Sequence, residues 1–113
     1  MIKRGEIYWA NLNPSMGSEI DKIRPVLIVS NNINNQVAET ITILPITSNV
    51  TKCYPFEVLI FPNESNLANV SIIKANQIKT IDKMRLRDKI GEINSNTQKL
   101  VDKAITIHLS ISI

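Results

Sequence analysis

An uninterrupted apolar run, Pro25-Val26-Leu27-Ile28-Val29, stands between Arg24 and Ser30. Its length suits a strand, and its lack of alternation means that both faces of that strand must be buried. A chain holding such a strand needs a sheet with apolar cover on each side. Proline has no ladder donor, so Pro25 is expected at the first position of the strand.

The neighbouring segments supply the rest of a sheet. Gly5 to Leu12 alternates, with Ile7 and Trp9 on one face and Glu6, Tyr8 and Ala10 on the other. That places Trp9 in the core and Tyr8 in a wall. A long loop of turn-forming residues follows, Asn13-Pro14-Ser15-Met16-Gly17-Ser18, continuing through Glu19, Asp21 and Lys22. Asn31-Asn32-Ile33-Asn34-Asn35 reads as a turn. Thr40 to Ile46 alternates until Pro45, where a bend or bulge is expected before Thr47. Phe56 to Phe61 is a further strand, Val70 to Ile81 holds one or two, and Lys89 to Ile93 ends the series. Asp82 to Arg87 is a tight polar connection between them.

Helical spacing occurs at the end. Leu100, Val101, Ala104, Ile105, His108 and Leu109 form one stripe, with Ser95 as the predicted cap and Gln98 completing a capping box. The expected fold is mainly β with a C-terminal helix, an SH3-like small barrel, forming a single domain over residues 1–113.

Composition narrows the chemistry. The 113 residues carry 43% apolar and 20% charged side chains, which is globular. A net charge of +3 mildly favours a polyanionic partner. The basic residues Lys74, Lys79, Lys83, Arg85, Arg87 and Lys89 face only Asp82 and Asp88 within their run. That run is either a solvated face or a phosphate-binding flank. One cysteine and one histidine provide no disulfide framework, no zinc set and no histidine acid–base pair. No cofactor is expected. No apolar run reaches membrane-spanning length and no signal core follows the first residues, so a cytoplasmic protein is expected.

Two strand-end groups remain. Arg24 precedes the apolar run, and Pro45-Ile46-Thr47-Ser48 closes another strand. Taken singly, Arg24 is an ordinary ion-pair partner for Glu19 or Asp21, and the hydroxyls of Thr47 and Ser48 belong to a turn. Taken together, a guanidinium and a hydroxyl suit a phosphodiester, whose transition state gains negative charge. Gln77 stands before Ile78-Lys79-Thr80-Ile81, where its amide either faces solvent or reads a base edge.

These residues, with Arg4-Gly5-Glu6-Ile7-Tyr8, Gly17-Ser18-Glu19 and Gln77 to Lys83 followed by Arg85-Leu86, resemble the MazF/PemK toxins of bacterial toxin–antitoxin systems. The resemblance runs from Lys3 to about Leu109. It implies an SH3-like barrel that dimerises and cuts single-stranded RNA, including mRNA, without a metal. The nucleophile would be the substrate's own 2′-hydroxyl, and the products a 2′,3′-cyclic phosphate and a 5′-hydroxyl. It places the catalytic arginine on Arg24 and the catalytic threonine on Thr47. Ser18 and Glu19 would flank the substrate, Gln77 would touch bases, and Lys74, Lys79 and Lys83 would steer the RNA backbone. Glu19 is a candidate general base. An antitoxin with an acidic disordered tail is the implied partner. The alternatives are a CcdB-like gyrase poison and a plain nucleic-acid-binding barrel. One residue departs from the family pattern: Lys22 stands where glycine is usual. Glycine permits backbone angles that other residues rarely adopt, so the conformation of loop 15–23 is in question.

Overall fold

The computed structural model describes residues 1–112. Seven strands are formed, β1 (Glu6–Asn11), β2 (Ile23–Ile28), β3 (Thr40–Thr47), β4 (Glu57–Ile60), β5 (Ser71–Lys74), β6 (Lys79–Asp82) and β7 (Leu86–Glu92). Three helices accompany them, α1 (Asn32–Val37), α2 (Pro62–Ser65) and α3 (Ser95–His108). Single 3₁₀ turns occupy Ala75–Gln77 and Lys83–Arg85. The strands pair antiparallel in the order β4-β5-β3-β2-β1-β7, with β6 beside β3. The mainly β architecture with a C-terminal helix is as expected. The sheet does not close between β4 and β7, so it is an open, barrel-like sheet.

The apolar run behaves as its lack of alternation requires. Leu27 and Val29 enter one core with Ile7, Leu44, Ile46 and Ile73, under Val101 and Ala104 of α3. Val26 and Ile28 enter a second with Ala10, Leu12, Ile41, Ile43 and Ile81. Each Val, Leu or Ile among them contributes about 1.5–3 kcal/mol on burial.

The prolines sit where a missing donor costs little. β2 begins at Ile23, two residues earlier than expected, so Pro25 lies inside it opposite Trp9. Pairing of β2 with β3 starts only at Val26. Pro45 does not break β3 either. On the side away from β2, the strand's neighbour changes from β6, over Thr40–Ile43, to β5, at Ile46 and Thr47. Pro45 falls in that gap.

Other expectations are corrected locally. The asparagine-rich segment is a short helix: the Asn31 side chain caps α1 by accepting from the Asn34 amide at 2.8 Å. Ser95 is not the cap of α3. Asn94 holds that place, accepting from the Thr97 amide at 2.9 Å, while Gln98 donates along the helix to Asp102 at 3.0 Å. The buried stripe of α3 is Thr97, Val101 and Ala104, with Ile105 half-buried, whereas Leu100, His108 and Leu109 are exposed. Trp9 shares Ile7's side of β1 but is 41% exposed at the mouth of the sheet, not in the core.

Candidate functional site

Antiparallel register is what joins the two candidate residues. β2 and β3 pair through Ile28↔Ile43, Leu27↔Leu44 and Val26↔Pro45. Continuing that register past its last pair brings Arg24 level with Thr47. Both line one open cleft of about 440 Å³, together with Trp9, Ser48 and Lys89.

The expected ion pair of Arg24 does not form. Its Nε donates to the Asp21 backbone carbonyl at 3.1 Å, and among the described residues no carboxylate lies within 4.0 Å of its guanidinium. The terminal guanidinium nitrogens keep their donors for a ligand. Thr47, rather than Ser48, takes the turn: its Oγ1 accepts from the Asn49 amide at 3.2 Å. The hydroxyl hydrogen of Thr47 remains available to donate.

Thr47 also lines a second hollow, of about 340 Å³, with Ser18, Gln77, Lys74, Glu57 and Tyr54. Gln77 is shared in turn with a third, of about 220 Å³, where Glu19 and Lys79 are found. The sequence candidates are thus distributed along three adjoining hollows that share Thr47 and Gln77, with Arg24 in the first.

Several of them are already engaged. Lys74 Nζ lies 2.5 Å from Glu57 Oε2, and the Glu57 side chain is almost fully buried, its other oxygen accepting from the Tyr54 amide at 2.9 Å. Gln77 Oε1 accepts from the Ile20 amide at 2.9 Å, which leaves its NH₂ free for other partners. Glu19 accepts from the Met16 amide at 2.5 Å and does not line the hollows that hold Arg24 and Thr47. Arg85 and Arg87, in the basic run, are spent on backbone carbonyls. Arg85 holds Asn11 at 3.1 Å and also Asn13, and Arg87 holds Met84 at 3.1 Å. Lys79 and Lys83 make no ion pair among the described residues.

Lys22 answers the question raised by the missing glycine. Its φ is +65°, in the left-handed region that favours glycine. Its carbonyl accepts from the Leu12 amide at 2.8 Å, and its amide donates to Asn13 Oδ1 at 3.0 Å. The lysine adopts the turn at some steric cost.

The first cleft is also lined by Lys89, which the sequence placed only within the basic run. Lys89 of β7 lies 2.7 Å from Glu6 Oε2. The other Glu6 oxygen accepts from the Lys3 amide at 2.7 Å and the Tyr8 hydroxyl at 3.0 Å. Burial opposes ionisation of Glu6, but the hydrogen bonds from Lys89, Lys3 and Tyr8 outweigh it and hold the carboxyl below its ordinary range. Burial, then the neighbouring carboxylate, push the Tyr8 phenol up to about 12. Lys89 is pushed up by its hydrogen bond to Glu6. The Glu6-to-Lys89 partnership joins β1 to β7 and has no signature in either segment alone.

Among the described residues, no three His, Cys, Asp or Glu side chains gather closely enough to hold a metal ion. Among these residues, too, no helix is long and apolar enough to cross a membrane.

Residues 3–109 match the family of PemK-like, MazF-like toxins of type II toxin–antitoxin systems. The chain belongs to this toxin family. A PemK/MazF relative, the endoribonuclease EndoA of Bacillus subtilis, is 38% identical over 112 residues, covering 98% of this chain and 97% of its own. The endoribonuclease MazF9 of Mycobacterium tuberculosis is 36% identical over 116 residues, covering 98% of each. Among solved structures, a mycobacterial endoribonuclease in complex with its cognate antitoxin superposes with a TM-score of 0.84 at 25% identity. That match covers 100% of this chain and 99% of the other. MazF of Deinococcus radiodurans shares the fold, with a TM-score of 0.83 at 24% identity over 97% of each chain.

Proposed function

We propose that this protein is the endoribonuclease toxin of a type II toxin–antitoxin pair. It cuts single-stranded RNA, mRNA included, by attack of the substrate's own 2′-oxygen on the adjacent phosphorus. The P–O5′ bond breaks as the new P–O2′ bond forms. The products are a 2′,3′-cyclic phosphate and a 5′-hydroxyl: the 2′-hydroxyl gives up one proton and the leaving 5′-oxygen takes one up. The nucleophile and leaving group both come from the substrate, so the protein has to orient them and stabilise charge.

The observation that carries this reading is an unpaired guanidinium level with a hydroxyl in one open cleft. Arg24 binds the scissile phosphate and offsets the charge gained by its oxygens. Thr47 donates to one of those oxygens and fixes the in-line geometry, its own turn bond holding the hydroxyl in place. Ser18, Lys74 and Gln77 line the adjoining hollow, where the next nucleotide rests. Glu19 and Lys79 line the one after. Glu19 is held by the loop and lines a different hollow from Arg24 and Thr47, which argues against it as the base that takes the 2′-proton. Lys79 and Lys83 supply the charge that steers the RNA. The toxin acts in the cytoplasm as a homodimer, and its antitoxin covers the same groove with an acidic, disordered tail.

Incubation with a long RNA in EDTA, with the new ends mapped, tests the proposal. Cleavage leaving 5′-hydroxyl ends is expected. Arg24→Ala and Thr47→Ala should each lower the rate by at least about 10²-fold, as removal of a charge-stabilising donor does elsewhere. Intact RNA, or two fully active variants, would reject the mechanism.

A further inference from the structure

The residues around the second hollow, of about 340 Å³, use their amide and carboxylate oxygens within the protein. Gln77 Oε1 accepts from the Ile20 amide. Asn49 Oδ1 accepts from the amide and the hydroxyl of Thr51, at 3.4 and 3.2 Å. Both Glu57 oxygens are engaged, one by Lys74 Nζ and the other by the Tyr54 amide. Donors are left over: the NH₂ groups of Gln77 and Asn49, and the Lys74 ammonium with its three N–H groups.

Register places that ammonium on the side of the hollow. Antiparallel partners share a face of the sheet, and so do alternate residues of one strand. Thr47 pairs with Ile72, and Lys74, two residues on, pairs with Glu57. Thr47, Lys74 and Glu57 therefore project from one face. Ile73, between Ile72 and Lys74, takes the opposite face, in the core under α3. The Glu57 side chain is 1% exposed and that of Lys74 22%, so the lysine is the partner that meets the hollow. The ion pair also decides what the ammonium can hold. A carboxylate at 2.5 Å offsets its charge, and Glu57 would repel a phosphate brought beside it. A neutral acceptor meets no such repulsion. Lys52, the other cation lining the hollow, has no carboxylate within 4.0 Å among the described residues, and suits a phosphate better.

We propose that Lys74 reads an RNA base instead of steering the backbone. Its ammonium, beside the Gln77 amide, donates to a base that carries an exocyclic carbonyl: guanine through O6 or uracil through O4. Adenine and cytosine present an amino group at those places, where donor would meet donor. Glu57 is the positioning residue, holding the ammonium at the hollow and cancelling its attraction for phosphate. This rests on the nuclease reading above, and it names the class of base that the hollow next to Thr47 selects.

The test pairs protein and substrate changes. A long RNA is cut in EDTA by the unaltered protein, and the new 5′-hydroxyl ends are sequenced. One position near the cut should hold guanine or uracil and reject adenine and cytosine. An oligonucleotide then carries, at that position, an analogue without the carbonyl: 2-aminopurine for guanine or 2-pyrimidinone for uracil. The analogue should lower kcat/KM about ten- to a hundredfold. Combining Glu57→Gln with Lys74→Met removes both charges and leaves no buried carboxylate unpaired. The double variant should cut the analogue as well as the natural base, and the salt dependence of kcat/KM should keep its slope. Glu57→Gln alone frees the charge of the ammonium. It should weaken the preference and steepen the slope by about 0.7, one phosphate contact on a single strand. A pair that only braced the fold would move the unfolding midpoint and neither of these readouts. A cut sequence without guanine or uracil would overturn the inference, as would a double variant that keeps the preference. A slope shallower by about 0.7 in the double variant would instead assign Lys74 to a phosphate. If the double variant does not fold, Glu57→Gln decides, and an unchanged preference and slope would overturn the inference. Absence of any cleavage by the unaltered protein would overturn the nuclease reading, and this inference with it.

Discussion

Lys22 carries a backbone conformation that its side chain opposes. A left-handed angle costs a non-glycine residue roughly 1–2 kcal/mol, while glycine loses about 0.4–1 kcal/mol through its freer unfolded chain. Lys22→Gly should therefore gain up to about 1.6 kcal/mol in a denaturant titration, and Lys22→Val should lose stability. Both should keep Arg24 in place and retain cleavage. Tyr8 makes a pH prediction. Its folded pKa, about 12, lies above the ordinary 10.0, so the stability it contributes is complete below pH 10 and is lost between 10 and 12. Tyr8→Phe should flatten the fall in stability across that window, and should cost about 1 kcal/mol at neutral pH through the lost bond to Glu6. Glu6 has the opposite sign: its depressed carboxyl contributes at neutral pH, and the contribution is lost as pH falls through the lowered value. At this scale the sequence marked Arg24 and Thr47 as strand-end groups, and the structure brings them into one cleft; singly each read as an ion-pair partner or a turn hydroxyl. The sequence was least legible for Lys74, Arg85 and Arg87. Their partners are a carboxylate on the neighbouring strand and backbone carbonyls, and no pattern in the chain announces a carbonyl acceptor.

The elements were legible where apolar residues set them and less so where polar groups did. The run 25–29 sorted into two cores because nothing polar interrupts it. The start of α3 turned on which of two adjacent capping residues accepts the Thr97 amide, a choice periodicity cannot make. Asn94→Ala should therefore cost about 1 kcal/mol and Ser95→Ala far less, in paired thermal unfolding. The helix is also pinned from a distance. Arg4 Nη2 lies 2.5 Å from Asp102 Oδ1, and its Nε donates to the Val29 carbonyl at 3.0 Å. The first residues, α3 and the end of the apolar run thus meet at one guanidinium. The pair with Asp102 is largely exposed and contributes little by itself, whereas the bond to Val29 is half-buried. Arg4→Lys should therefore lose most of the stability lost in Arg4→Ala, since an ammonium lacks the guanidinium's forked donors.

Over the whole molecule, the open sheet is held shut at one point by close backbone contact. A Cβ built on Gly91 of β7 would lie 2.3 Å from the Ser65 carbonyl of α2. Backbone cannot yield there, so Gly91→Ala should destabilise by about 1–3 kcal/mol, read as a lower unfolding midpoint. It should also loosen β7, on which Lys89 stands. The proposed catalytic pair belongs to the sheet, Arg24 opposite Ala10 and Thr47 opposite Ile72, but not to its apolar interior. Arg24 and Thr47 lie past the last β2–β3 pair, and neither belongs to either apolar core. Disarming the toxin is therefore cheap for the fold: a single substitution at either position should yield an inert protein as long-lived as the active one. On the proposed reading, a Thr47→Ala copy keeps Arg24 and would still present the charge that the antitoxin's acidic tail covers. In a cell carrying both, the inert copies would compete for the antidote, and a broken gene would sharpen the action of an intact one.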